Sequence, residues 1–131
     1  MAITFSTDRL QGLEGTTITG VYGRIQSVTV KKYDAETNPS VAVRWRCLYD
    51  VVLNATAVKR NASGEYPEWG NRLRSREIDH FTGAYDPTSN SNPYAQAYVL
   101  LKAALANTVG PDDENGDATT IAPIASSIAD A

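Results

Sequence analysis

Val41-Ala42-Val43-Arg44-Trp45-Arg46-Cys47-Leu48-Tyr49-Asp50-Val51 is the stretch whose reading decides the fold. Its odd positions are apolar or aromatic, whereas Arg44, Arg46 and Asp50 hold even ones. Side chains alternate between the two sides of a strand, so this pattern predicts one greasy face and one charged face. The β-branched and aromatic content supports the same assignment.

Working outward towards the N-terminus, Val21–Tyr33 reads as a second long strand. Val21 and Ile25 share one parity and Val28 and Val30 the other. A one-residue slip would turn every later side chain to the wrong face, so a bulge is expected between Ile25 and Val28. Asp34 to Ser40 is polar, contains Pro39 and is too short for a crossover helix. The two strands are therefore expected to form an antiparallel hairpin. Residues 1–20 hold Ile3 and Phe5 in a short apolar patch, followed by a Gly- and Thr-rich run. Its glycines and β-branched residues disfavour a helix, and residues 1–20 read as an extended arm with one short strand at Ile3 to Phe5.

Towards the C-terminus, Arg60 to Asn71 has loop composition but carries Tyr66 and Trp69, and Arg72 to Phe81 reads as a third strand on a charged edge. Asn92 then supplies an N-cap and Pro93 a first helical residue. Tyr94, Ala97, Tyr98, Leu101, Ala104 and Leu105 recur at helical spacing from there to Ala106. That stripe is expected to lie on the apolar sheet face, where Tyr98, Leu101 and Leu105 would each contribute about 1.5–3 kcal/mol. Gly110 to Asp117 reads as an acidic, turn-forming linker, and Ala118 to Ala131 as a small-residue tail carrying Ile121, Ile124 and Ile128. Alone, such a tail does not offset its ordering entropy. The isoleucines are expected to anchor on a neighbouring chain, which would make the tail dispensable to the fold; folding back onto its own sheet is the alternative.

The chain of 131 residues has a formal net charge of -3, one cysteine and one histidine. This length suits one core, and the charge gives no pull towards nucleic acid or an anionic membrane. A single thiol forbids an intramolecular disulfide, and Cys47 reads as a buried hydrophobe. No apolar run is long enough to cross a bilayer, and no secretion signal opens the sequence, so an aqueous compartment is expected.

Catalytic, cofactor and metal assignments are none. Cys47 and His80 cannot by themselves assemble a zinc site. Asp79 and His80 are neighbours on an expected strand and would point to opposite faces, which argues against acid-base cooperation. Phosphate-binding glycine motifs are absent, and no small-molecule substrate is expected. The candidate partner interface comprises Ile3, Phe5, Tyr66, Trp69, Ile121, Ile124 and Ile128, the apolar side chains of the arm, loop and tail.

A Thr- and Gly-rich arm, a long hairpin, a third strand and then Asn92-Pro93-Tyr94-Ala95-Gln96-Ala97-Tyr98-Val99-Leu100-Leu101-Lys102 together resemble small virion structural proteins of tailed bacteriophages. The resemblance spans Val21 to Leu105 and centres on Ala97 to Lys102. It implies a non-enzymatic subunit of the tail, baseplate or fibre-attachment region, assembled in the host cytoplasm. Other virion proteins would be its partners, in multiple symmetric copies, with no nucleic acid or membrane among them. A capsid decoration or head-to-tail connector protein is the rival within that class, and a carbohydrate-binding module using Tyr66, Trp69 and Tyr85 the rival outside it. The expected fold is α+β: a small antiparallel sheet with one C-terminal helix packed on it. The division is an arm at 1–20, a sheet-and-helix domain at 21–106 and a linker with C-terminal extension at 107–131.

Overall fold

The computed structural model describes residues 1–33, 44–54, 63 and 72–131, with backbone alone for 33, 44–50 and 54. The long hairpin is formed by β2 (Ile18–Tyr33) and β3 (Arg44–Asn54), antiparallel from Tyr22↔Asn54 to Tyr33↔Arg44. Its register shifts between Ile25 and Ser27, where the change of apolar parity requires it. The slip lets Val21 and Ile25 share one face with Val28 and Val30, which pair with Tyr49 and Cys47.

The helix α1 (Pro93–Ala106) starts where its capping residues place it, with the Asn92 side chain accepting from the Ala95 N–H at 2.8 Å. It stops at Asn107, whose extended backbone and side-chain bonds to Val109 redirect the chain. Ala97, Tyr98, Leu101 and Leu105 are buried against the sheet. At β5 (His80–Ala84) the approach is close, since a Cβ on Gly83 would lie 2.7 Å from the Leu100 methyl groups. The fold is thus α+β, a mostly antiparallel sheet covered by one helix near the C-terminus.

Two tyrosines of α1 hold the bulge. The Tyr98 hydroxyl accepts from the Ile25 N–H at 2.8 Å and donates to the Met1 carbonyl at 2.6 Å. The Tyr94 hydroxyl donates to the Gln26 carbonyl at 3.3 Å. A bulge leaves backbone groups outside the ladder, and residues one helical turn apart point the same way, so this pair meets both orphans. Tyr94 consequently leans over the sheet edge and stays half exposed, rather than joining the buried stripe. Replacing Tyr98 by Phe strands the buried Ile25 N–H and is expected to cost about 1–3 kcal/mol in urea denaturation. A loss near zero would show that the bulge does not need the hydroxyl.

Both ends of the chain are built into the sheet. The segment read as an arm contains β1 (Ile3–Thr7), paired with β2 through Ile3↔Gly23 and Phe5↔Val21. On its other side lies β8 (Ser126–Asp130), from the segment read as an extension. The order is β4-β3-β2-β1-β8, where β4 is Arg72–Leu73 and β5 also pairs with β3. Residues 1–20 and 107–131 therefore both supply strands to the sheet that runs through 21–106. Ile3 and Phe5 alternate with polar residues and form a half-buried strand pattern, too short to stand alone but sufficient once paired on both sides.

The single third strand expected over Arg72 to Phe81 is two strands, β4 and β5. Leu73 and Ile78 fall on opposite parities, so one continuous strand would turn one of them to solvent. The chain instead turns at Ser75–Ile78, with the Ile78 N–H donating to the Ser75 carbonyl, and Ile78 enters the core. Leu10, from the loop after β1, joins the same cluster.

The acidic stretch is a hairpin of its own. β6 (Val109–Asp112) and β7 (Ala118–Thr120) form a separate two-stranded sheet. The Asp113 carboxylate accepts from the Asn115 and Asp117 N–H groups and closes the tip, with Gly116 at φ 80°. Gly supplies that left-handed turn without steric cost.

Candidate interaction surface

The residues assigned to a partner interface do not form one surface. Ile3 and Phe5 are buried in the chain's own core, at 0% and 1% exposure. Ile124 and Ile128 are half-buried against that core, and Ile121, at 42%, is exposed beside the β6–β7 hairpin. The physical cause is plain: an apolar residue on a short strand or tail is indistinguishable in sequence from an anchor on a neighbour until the pairing is known. Tyr66 and Trp69 lie outside the described residues, as do the connection at 34–43 and the Cys47 side chain.

The tail is held by specific bonds within the chain. Thr7 Oγ1 donates to the Ile124 carbonyl at 2.7 Å, the Ala125 N–H to the Leu105 carbonyl, and the Ala131 N–H to the Ala2 carbonyl. Lys102 Nζ lies 3.0 Å from Asp130 Oδ1, an exposed pair of small energetic weight.

The helix motif is likewise used inside the molecule. Asn92 caps, Tyr94 and Tyr98 clamp the bulge, and Leu101 fills the core. Gln96 accepts from the Asp86 N–H and donates to the Asp86 and Ser91 carbonyls, fastening the preceding loop. Within that loop, the Thr88 hydroxyl and then its N–H donate to the Asp86 carboxyl and hold it below the usual aspartate range. Val99 stands apart, 64% exposed on the outer side of α1.

Two cavities among the described residues carry charged side chains in their walls. One of about 380 Å³ is lined by Arg9, Gln11, Glu14, Arg76 and Glu77, with Arg9 paired to Glu77 at 2.9 Å. Another, of about 260 Å³, lies beside β4 and β5 and is lined in part by Arg72, Arg74, Asp79 and His80. Asp79 and His80 border this groove together because Asp79 ends the turn before β5 and escapes strict strand alternation. Tyr85, the third aromatic of the carbohydrate reading, is half-buried against the core. Among the described residues, no group of three or more His, Cys, Asp or Glu is placed to hold a metal ion. None of the described helices is long and apolar enough to cross a membrane.

What the described surface does offer is backbone. β2 runs on past the end of β1, which pairs only as far as Gly23. From Ser27 to Tyr33 its pairing among the described residues is with β3 alone. The β6–β7 hairpin likewise pairs with no further strand among the described residues. Comparison with protein-family models, with curated proteins and with solved structures returns no match to this chain.

Proposed function

We propose that this chain is a non-enzymatic structural subunit of a tailed-bacteriophage virion, working in the tail, baseplate or fibre-attachment region. The observation that carries the reading is the pair of hairpins whose edges, at β2 beyond Gly23 and along β6 and β7, pair with no further strand among the described residues. Strand edges give affinity through ordinary backbone groups and suit repeated assembly. The helix motif behind the resemblance supports it in a particular way: each bonded or buried motif residue builds the fold, so the motif marks a shared architecture rather than a binding site. Neighbours would be gripped by the hairpins, not by the termini, which rest on the chain's own sheet.

A capsid decoration or connector role uses the same features and differs in location. Mass spectrometry of purified particles, with immunogold labelling, tests both. Stoichiometric copies at the tail support the proposal, labelling over the head supports the rival, and absence from intact particles sinks the virion reading.

A further inference from the structure

We infer that Asn115-Gly116, at the tip of the β6–β7 hairpin, is a self-modification site: the Asn115 amide is lost to attack by the main chain, opening of the tip sets the rate, and the isoaspartyl product unpairs β6 from β7. The only reagent consumed is water. Three features of the chain point to this site.

The first is the residue that follows. Ring closure uses the N–H of the next residue as nucleophile, and a Cβ there crowds the approach. Asn115 is the one asparagine of the chain followed by glycine. Asn38 and Asn92 precede proline, which has no N–H to attack with, and the others precede residues that carry a Cβ. The second is access. Residues 111–118 are all exposed, a Cβ on Gly116 would meet nothing within 4 Å, and the Asn115 side chain makes no hydrogen bond among the described residues. The third is how little restrains the tip. The Gly116 N–H donates to the Asp113 carbonyl at 3.0 Å, so the nucleophile is engaged while the turn is closed. That bond, the Asp113 N–H to the Asp117 carbonyl, and the two N–H groups on the Asp113 carboxylate all lie in one exposed loop. Among the described residues its strands pair only with each other. Such a hairpin is marginal in water and opens locally without unfolding the main sheet.

In the open tip the Gly116 nitrogen attacks Asn115 Cγ and gives up its proton as the N–Cγ bond forms. The Cγ–Nδ2 bond breaks and ammonia leaves. The product is a five-membered imide whose nitrogen joins Cγ to the Asn115 main-chain carbonyl carbon. Water then adds to one of the two carbonyls and opens the ring. Cleavage at Cγ leaves aspartate, whereas cleavage at the main-chain carbonyl carbon leaves isoaspartate, with the main chain running through Cβ and Cγ. Either product adds a carboxylate beside exposed Asp113, Glu114 and Asp117, where like charges repel. Isoaspartate also lengthens the loop by one main-chain carbon. Loop length sets hairpin register, so the Asp112↔Ala118 and Val109↔Thr120 pairs lose their spacing, while the main sheet, separate from this hairpin, keeps its own pairing.

The test ages the full-length chain in mildly alkaline buffer and maps its peptides by mass spectrometry, with labelling by an isoaspartate-specific methyltransferase as the second readout. Asn115 is expected to convert before any other asparagine. Asn90, equally exposed but followed by Ser91, serves as the internal contrast. Asn115→Gln should abolish the product, because ring closure would then need a six-membered imide. Asp113→Ala removes the carboxylate that holds the Asn115 and Asp117 N–H groups, and is expected to speed conversion several-fold while thermal melting of the main sheet stays unchanged. In the aged chain, amide NMR should lose the cross-strand contacts of β6 and β7 and keep those of the main sheet. Asn115→Asp, which carries the new charge without the extra carbon, should keep the hairpin paired. Conversion of Asn115 no faster than that of Asn90, or a rate indifferent to Asp113→Ala, would overturn the inference. An isoaspartyl chain whose β6–β7 contacts match those of the starting chain would overturn it equally.

Discussion

Removing Ala118–Ala131 will destabilise the whole domain, because it strips β8 from β1 and reopens a core the tail helps to close. The truncation removes buried Ala125, half-buried Ile124 and Ile128, and the hydrogen bonds from Thr7 to Ile124, Ala125 to Leu105 and Ala131 to Ala2. Partial burial of the two isoleucines and net hydrogen-bond contributions together amount to roughly 3–6 kcal/mol. A domain of this size has about 5–15 kcal/mol in total, so the truncated chain should melt far lower or fail to fold cooperatively. Circular-dichroism melts of the two chains check this. An unchanged transition would return the tail to the role read from sequence, a detachable extension.

The second large effect belongs to Leu101, which is fully buried, at 0% exposure, where α1 crosses the sheet. Leu101→Ala removes three carbons from a packed site and leaves a cavity, at an expected cost of about 2–5 kcal/mol in urea denaturation. Val99→Ala serves as the internal contrast: same helix, opposite side, and an expected change within about 0.5 kcal/mol. Equal losses at the two positions would mean that the helix is rotated from the packing described.

Both expectations turn on how far each part of the chain is legible before its partners are known. The hairpin, its bulge and the capped helix can be read from local signals, because strand alternation, the parity change near Ser27 and the Asn92-Pro93 start act within a few residues. Tyr94 and Tyr98 are also visible in the sequence as helix-face residues. That their hydroxyls answer the very bulge implied by Val21 and Val28 is not readable, because it joins residues far apart in the chain. The candidate surface is less legible still. Its apolar residues stand out only as apolar side chains in weakly patterned segments, and those of β1 and β8 belong to strands of the same sheet.

What the amino-acid order determined alone is the set of pieces: one slipped hairpin, one capped helix with a buried stripe, and an acidic turn. Tertiary structure alone decided that the first and last strands lie side by side and that Ile3 and Phe5 face inward. The physical reason is that propensity and periodicity are local, whereas strand pairing is chosen by whichever edge remains unsatisfied, and only the folded chain reveals which edges those are.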